Sequence, residues 1–255
     1  MNTRSLSDPG DSQQPLHPDG NLILSGDHLN RRVRDVFSFE ELLKTKFSGS
    51  VNALRWMRHL EGDFGEVVQK LPKGSGIVVL EEDVVERLPL SKSGRQAAEA
   101  LLADQSLLRD HGLDPVLNCV FDSVRSPDSG VVPTDVMSFH VDSAPIEVDT
   151  WLCTYHGACS EGLLNEEAIR KVDIPEIRSA LLSEYGGTDD EGFLEYLSDQ
   201  SYDLHYLPKK GAKPYAFGTF TLWKIATLWP QNPVAPCIHR APENLPGAPR
   251  LLLIS

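Results

Sequence analysis

Helical and strand-like hydrophobic patterns occupy separate blocks of this chain, and their order limits the possible folds more than any other feature. Apolar residues recur at helical spacing from Ser38 to Leu71 and again from Ser91 to His111. Segments rich in β-branched and aromatic residues follow from about residue 115, with a helical block over 163–200 between them. Because helices and strands do not alternate, and no glycine-rich nucleotide-binding motif occurs, a doubly wound α/β fold fits poorly.

This order favours a mainly β protein of the α+β class, with a double-stranded β-helix (a jelly-roll or cupin-like barrel) at its core. We expect residues 36–114 to give helical support, and residues 115–255 to form the jelly-roll core with the helical insertion 163–200. Residues 1–35 are predicted to be a mobile polar leader before this single domain over 36–255. The strands are expected over 116–124, 136–141, 146–155, 202–207, 217–227, 237–241 and 250–254.

Composition excludes several classes of partner. The chain has 255 residues and a formal net charge of −13, which argues against a surface that follows nucleic-acid phosphates. No stretch approaches the roughly 20 apolar residues of a membrane helix, and the first twenty residues lack the apolar centre of a signal peptide. The four cysteines show no paired spacing, so reduced thiols are expected. We therefore predict a soluble, cytoplasmic protein that binds neither nucleic acid nor a membrane; its oligomeric state is left open.

The segment Ser138-Phe139-His140-Val141-Asp142 contains the residues best suited to bind a metal. Side chains alternate along a strand, so His140 and Asp142 should project from one face while Phe139 and Val141 project from the other. An imidazole and a carboxylate on one face can occupy two adjacent positions on a metal ion.

The third ligand is predicted at His239, in a strand-like segment near the end of the chain. Arg250 follows eleven residues later, and the prolines and glycine between them favour a chain reversal. Two antiparallel strands would then place His239 and Arg250 near one another inside the barrel. Two histidines and one carboxylate leave coordination positions open, as in non-haem Fe(II) oxygenases.

This set of residues resembles the Fe(II)/2-oxoglutarate-dependent dioxygenase superfamily, with its H-x-D motif, distant histidine and following arginine. The segments Phe-His-Val-Asp (139–142), Leu-Cys-Thr-Tyr (152–155) and His-Arg-Ala-Pro to Arg-Leu-Leu-Leu (239–253) look like a bacterial family known only as a domain of unknown function. The resemblance implies a jelly-roll fold with Fe(II) on His140, Asp142 and His239. It also implies that Arg250 binds the distal carboxylate of 2-oxoglutarate.

The resemblance implies an oxidoreductase that uses O2 and 2-oxoglutarate to oxidise an unactivated C–H bond of a small molecule. An amino acid or a natural-product intermediate would suit such an enzyme, with biosynthesis as its setting. Hydroxylation is the default outcome, and desaturation or ring closure would use the same iron site. Halogenases of this superfamily lack the carboxylate so that chloride can bind, so Asp142 argues against that reaction.

The chain departs from the superfamily pattern two residues after the arginine, where a hydroxyl residue is common but Leu252 stands here. A second anchor for 2-oxoglutarate must then come from another strand. The candidates for this anchor are Thr154 and Lys224, with Tyr155 and Thr221 as further ones. The side chains expected to line the substrate pocket are Tyr155, Trp223, Cys237 and His156.

Two other functions are compatible with the same residues. A cupin-like Zn or Mn enzyme would work without O2, because two histidines and one carboxylate also suit zinc with water as the fourth ligand. Arg250 would then bind a carboxylate of the substrate. The second alternative is a non-enzymatic barrel that binds a metal or a ligand, in which the interval between His239 and Arg250 has no special purpose.

Overall fold

A computed structural model describes residues 29–123, 130–243 and 247–255 of the chain. Over these residues the protein is mixed α/β, with twelve β-strands and six α-helices. The strands are β1 (Val33–Val36), β2 (Ala53–Trp56), β3 (Ile77–Val79), β4 (Val116–Val120), β5 (Asp149–His156), β6 (Glu161–Leu163), β7 (Ala168–Arg170), β8 (Tyr206–Pro208), β9 (Tyr215–Ala216), β10 (Leu222–Ala226), β11 (Ile238–Arg240) and β12 (Arg250–Ile254). The helices are α1 (Phe39–Lys44), α2 (Phe64–Lys70), α3 (Glu82–Glu86), α4 (Lys92–Arg109), α5 (Pro175–Tyr185) and α6 (Glu191–Asp199).

Seven strands form one large sheet in the order β1-β2-β10-β5-β12-β4-β3. The side chains of successive residues alternate between its two faces. One face, which we call the helix face, packs against α1 to α4 and includes Trp151, Cys153 and Leu251. The other, which we call the inner face, includes Leu152 and Trp223, and these pack in a separate cluster. The sheet therefore separates a helix-covered core from the side on which a second sheet lies.

The second sheet has the order β11-β6-β9 and is extended at its edge by His140. His140 forms single antiparallel bridges with both His239 and His205. Through the pairings of β11 with β6 and of β6 with β9, one row across this sheet reads His205, His140, His239, Gly162 and Tyr215. Directly opposed residues project to the same face. The three histidines therefore share the face that carries Tyr215, whose ring lies 6.1 Å from the Trp223 ring of the large sheet.

Helix α4 confirms the helix predicted between Ser91 and His111. The Ser91 side chain accepts a hydrogen bond from the backbone N–H of Gly94 and so caps the helix start. Ala97, Leu101 and Leu108 recur at helical spacing and are buried against the helix face of the large sheet. The apolar residues at helical spacing in the sequence thus identify the side of α4 that packs against the sheet.

A buried ion pair fastens α4 to the rest of this core. The Nη1 and Nη2 atoms of Arg58 donate to the two carboxylate oxygens of Asp104 at 2.6 and 2.8 Å. The hydroxyl of Tyr155 donates to Oδ2 of Asp104 at 2.6 Å. Burial acts to lower the pKa of Arg58, but the Asp104 carboxylate raises it well above the usual value. The pair is therefore charged and shielded from water.

Replacing Asp104 by alanine would leave the Arg58 guanidinium buried without its counter-ion. We expect the free energy of unfolding to fall by about 3–5 kcal/mol, measured by denaturant unfolding. The matched control is Glu40→Ala, which breaks the exposed Glu40–Lys44 pair of α1 and should cost far less, because solvent screens an exposed pair. A loss for Asp104→Ala no larger than that of the control would contradict this role of the ion pair.

Three predicted segments differ from the structure. The leader predicted over 1–35 is wrong at its end, where residues 33–36 form β1, while residues 1–28 lie outside the described part of the chain. The helix predicted over 38–71 is wrong at its centre, where β2 pairs with both β1 and β10. The helical block begins at Pro175 instead of residue 163, because β6, β7 and two short 3-10 helices precede it.

The predicted strands of the second half are confirmed in position, but β4 ends at Val120, β5 begins at Asp149 and β10 begins at Leu222. Residue 124, the end of the first predicted strand, lies outside the described part of the chain. Two segments differ further. Residues 136–141 make only the bridges at His140, and Tyr202–Leu204 is a 3-10 helix ahead of β8. Strands β11 and β12 lie in different sheets and do not pair with each other, contrary to the predicted chain reversal. None of the described helices is long and apolar enough to cross a membrane.

Candidate metal centre

His140, Asp142 and His239 come together as the sequence predicts. One ligand atom from each residue lies within 4.8 Å of the other two. Nε2 of His140 is 3.6 Å from Oδ1 of Asp142, and Nε2 of His239 is 3.6 Å from Oδ2 of the same carboxylate. Among the described residues, no other set of histidine, cysteine and acidic side chains meets in this way.

The two imidazoles converge because their backbones pair directly. The N–H of His140 donates to the carbonyl of His239 at 2.9 Å, and the N–H of His239 donates to the carbonyl of His140 at 2.9 Å. Residues that exchange both bonds in an antiparallel pair carry their side chains on the same face. The ring centroids consequently lie 4.6 Å apart.

Backbone carbonyls fix the tautomer of both rings. Nδ1 of His140 lies 2.8 Å from the carbonyl oxygen of Ser138, and Nδ1 of His239 lies 3.4 Å from that of Cys237. A carbonyl oxygen can only accept, so each Nδ1 carries the hydrogen and donates it. In the neutral ring the lone pair is then on Nε2, and the Nε2 atoms of both histidines face Asp142.

The carboxylate of Asp142 is held by Thr150, whose hydroxyl donates to Oδ2 at 2.6 Å. Burial acts to raise the pKa of Asp142, but His140, the charge of His239 and this hydroxyl together hold it well below the usual range. Burial lowers the pKa of His239 to about 4. At neutral pH the carboxyl is therefore ionised and His239 is neutral, the protonation states that a metal ion requires. The Asp142 side chain is 32% exposed, which leaves the cluster open to solvent on that side.

Arg250, the first residue of β12, is buried with only 3% of its surface exposed. Its Nε donates to the carbonyl of Ala158 at 2.7 Å, and its Nη2 donates to Oγ of Ser160 at 3.4 Å. Burial lowers the pKa of Arg250 to about 10, opposed only by the nearby Cys159 thiol. Within the described part of the chain, no carboxylate pairs with this guanidinium. A buried cation without a counter-ion is costly, so the site is suited to an anion from outside.

Lys224 and Tyr155 are wrong as residues of this site, because both lie on the helix face. Nζ of Lys224 donates to the carbonyls of Leu43 and Thr45 and lies 3.3 Å from Oδ2 of Asp149. The Tyr155 hydroxyl is occupied by the carboxylate that binds Arg58. The sheet separates both side chains from Asp142, which contacts Thr150 on the other face.

The remaining pocket candidates have separate outcomes. Thr154, Trp223 and Cys237 are buried on the inner side. Trp223 stacks on Phe217 at 4.3 Å between ring centroids, and Phe217 lies 6.4 Å from the His239 ring. Burial raises the pKa of the Cys237 thiol to about 12, so this cysteine is a neutral packing residue.

His156 is wrong as a pocket residue. It ends β5 and lies at the start of α2, where a Cβ built on Gly65 would come 3.3 Å from its Cε1 atom. The register of β5 shifts against β12 between Leu251 and Leu252, and this irregularity lies next to His156. The alternation that places Thr154 on the inner face therefore does not extend to His156.

His205 is a residue of this region that the sequence did not single out. Its ring centroid lies 5.8 Å from that of His140, and burial, together with the charges of His140 and Lys171, lowers its pKa to about 4. Its buried Nδ1 has no hydrogen-bond partner among the described residues. The only signal in the sequence was a histidine within a predicted strand, without a motif spacing to mark it.

Comparisons with protein-family models, with curated proteins and with solved structures find no match for this chain. What the cluster can hold is therefore judged from its donors. Metal–ligand bonds of about 2.0–2.2 Å place neighbouring donors of one ion roughly 3 Å apart, and the 3.6 Å separations here need only a small contraction. Two imidazole nitrogens and a carboxylate oxygen suit Fe(II), and also Zn or Mn.

Proposed function

We propose that this protein is a non-haem Fe(II)/2-oxoglutarate-dependent dioxygenase that oxidises a C–H bond of a small molecule. The observation that carries the proposal is a cluster of two histidines and one carboxylate, together with a buried arginine that pairs with no carboxylate among the described residues. The cluster leaves coordination positions for a bidentate keto acid and O2. The arginine is suited to the second carboxylate of that keto acid.

Local contacts support a common site for Arg250 and the metal cluster. Ser160, which contacts the guanidinium, also accepts a hydrogen bond through its carbonyl from the N–H of Phe217 at 2.9 Å. The ring of Phe217 lies against His239. Ser160 also precedes by two residues Gly162, which is in register with His239. These contacts run from the arginine to the proposed ligands through one short stretch of chain.

We further propose that the two sheets form a jelly roll. Between β4 and β12 the chain crosses repeatedly from one sheet to the other. Strands β4, β5, β10 and β12 belong to the large sheet, while the His140 segment, β6, β9 and β11 belong to the small one. This alternation supports a jelly roll, since a double-sheet jelly roll divides its strands between two facing sheets.

The side chains have separate tasks in this proposal. When bound, Fe(II) with 2-oxoglutarate and O2 would supply the oxidising power for C–H cleavage. His140, Asp142 and His239 would hold the ion, and Thr150 orients the carboxylate. Arg250 binds and orients the keto acid. The Phe217 and Trp223 rings form an apolar wall behind His239 that keeps water out.

The proposal is tested by adding Fe(II) and 2-oxoglutarate to the purified protein under nitrogen. We expect a visible charge-transfer band, and formation of succinate from 2-oxoglutarate once air is admitted. Zn(II) in place of Fe(II) is the control and should give neither signal. The absence of both signals with Fe(II) would contradict the proposal. Turnover under nitrogen with Zn(II) or Mn(II) would instead support the cupin-like metal enzyme.

A further inference from the structure

The turn between β5 and β6, residues 157–160, is shaped around Arg250. Gly157 has a φ of +82°, and a Cβ added there would lie 2.6 Å from the carbonyl oxygen of Pro249 and 3.1 Å from Cα of Arg250. Only glycine allows this approach, because it has no Cβ and adopts positive φ without strain. The turn thereby brings both the Ala158 carbonyl and the Ser160 hydroxyl to the guanidinium.

Arg250 and Ser160 leave hydrogen-bond donors available at the same place. Within the described part of the chain, the guanidinium bonds only through Nε and Nη2, which leaves Nη1 and part of Nη2 for a ligand. Oγ of Ser160 accepts from Nη2 and donates to no acceptor among the described residues. A serine hydroxyl has one hydrogen to donate, so an incoming carboxylate could accept from both side chains at once.

We infer that Ser160 is the second anchor of the distal carboxylate of 2-oxoglutarate, acting beside Arg250. This inference rests on the proposed function and assigns a residue outside the motifs that suggested it. Ser160 replaces the hydroxyl that is missing at Leu252, and it comes from a turn rather than from β12. The hydroxyl of a buried serine binding a charged oxygen is worth more than an ordinary hydrogen bond between neutral groups.

The contacts favour Ser160 over Thr154. Thr154 is in register with Leu252 of β12, two residues beyond Arg250, and is not among the described residues that hydrogen-bond the guanidinium. Ser160 touches the guanidinium directly and is nearly fully buried. Thr154 is therefore the matched control, because it also carries a buried hydroxyl on the inner side and lies opposite Leu252 instead of beside Arg250.

The test compares two keto acids on the Zn(II)-loaded protein, which is inert to oxidation, by isothermal titration calorimetry. 2-Oxoglutarate and 2-oxobutanoate differ only in the distal carboxylate. In Ser160→Ala we expect 2-oxoglutarate to bind about 10- to 100-fold more weakly, with the affinity for 2-oxobutanoate unchanged. Ser160→Thr should restore most of the difference, and Thr154→Val should leave both affinities as in the wild type.

Three results would overturn the inference, and they differ from a failure of the proposed function. Ser160→Ala could bind 2-oxoglutarate as tightly as the wild type. Ser160→Ala could weaken the binding of both keto acids equally, which would show that Ser160 only stabilises the turn. Thr154→Val could show the selective loss instead. If the wild-type protein binds neither keto acid, the proposed function itself fails.

Discussion

Asp142→Asn is expected to weaken metal binding by more than about 100-fold and to stop succinate formation. The substitution keeps the size of the side chain but removes the only charged ligand, which lies 3.6 Å from both proposed nitrogen ligands. Loss of a group that merely orients a ligand costs about 10- to 100-fold, and loss of the ligand itself should cost more. Equilibrium dialysis against Fe(II) under nitrogen, with metal analysis, measures the affinity.

Two further variants complete this experiment. Thr150→Val removes the hydroxyl that holds Asp142 and should weaken metal binding by about 10- to 100-fold. His156→Ala is the control, because this histidine lies at the start of α2, and its affinity for metal should equal that of the wild type. Retention of full metal affinity by Asp142→Asn would refute the metal centre.

Arg250→Met is expected to weaken the binding of 2-oxoglutarate by about 100- to 1000-fold, while the affinity for metal stays unchanged. The variant removes the charge that would pair with the distal carboxylate inside the protein, where such pairs are worth about 2–5 kcal/mol. Methionine fills most of the same volume, and an apolar residue at a buried charged position is commonly tolerated. Calorimetric titration of the Zn(II)-loaded variant gives the affinity.

The control for this experiment is Arg240→Met, one residue after His239. Arg240 faces away from the cluster, with Nη2 2.6 Å from Oε2 of Glu161 and its guanidinium over the Phe139 ring. We expect its affinity for 2-oxoglutarate to stay within about threefold of the wild type. Equal losses in the two variants would show that charge in general, and not the position of Arg250, governs binding.

The cluster of His140, Asp142 and His239 could be predicted in part because side chains alternate along an extended chain, even where it makes only single bridges. His140 and Asp142 are two residues apart, so one strand rule places them together. The third residue was predicted at His239 because it lies in a strand-like segment and Arg250 follows it at the interval that the resemblance implies. The backbone pair between the two histidines could not be derived this way, since it joins segments far apart in the sequence.

The errors among the pocket residues have one physical origin. Alternation shows which residues of a strand share a face, but it does not show which face a distant site occupies. Thr154 and Tyr155 are neighbours, as are Trp223 and Lys224, so only one of each pair can face the cluster. The sequence nominated all four. The packing of the helices determines which residue of each pair faces the cluster, because α1 to α4 cover the face with Tyr155 and Lys224.

Tertiary pairing also explains the misassigned strand β2. Its apolar residues Leu54 and Trp56 fit helical and strand patterns equally over so short a segment. The strand is fixed by β10, whose residue Lys224 is in register with Leu54 from the far end of the chain. Strand preference depends on such neighbours more than on the segment itself. The role proposed for Ser160 could not be predicted for a related reason, since a residue in a turn belongs to no periodic pattern.

The reciprocal backbone bonds between His140 and His239 have a consequence for any ion bound there. Coordination by both imidazoles would close a ring through the ion, the two side chains and the paired main chains. To separate the two segments, both backbone hydrogen bonds would have to break and the ion would have to dissociate. Hydrogen–deuterium exchange at these two amides should therefore slow when the ion is bound. The exchange rate would then report metal occupancy at these two residues without any substrate.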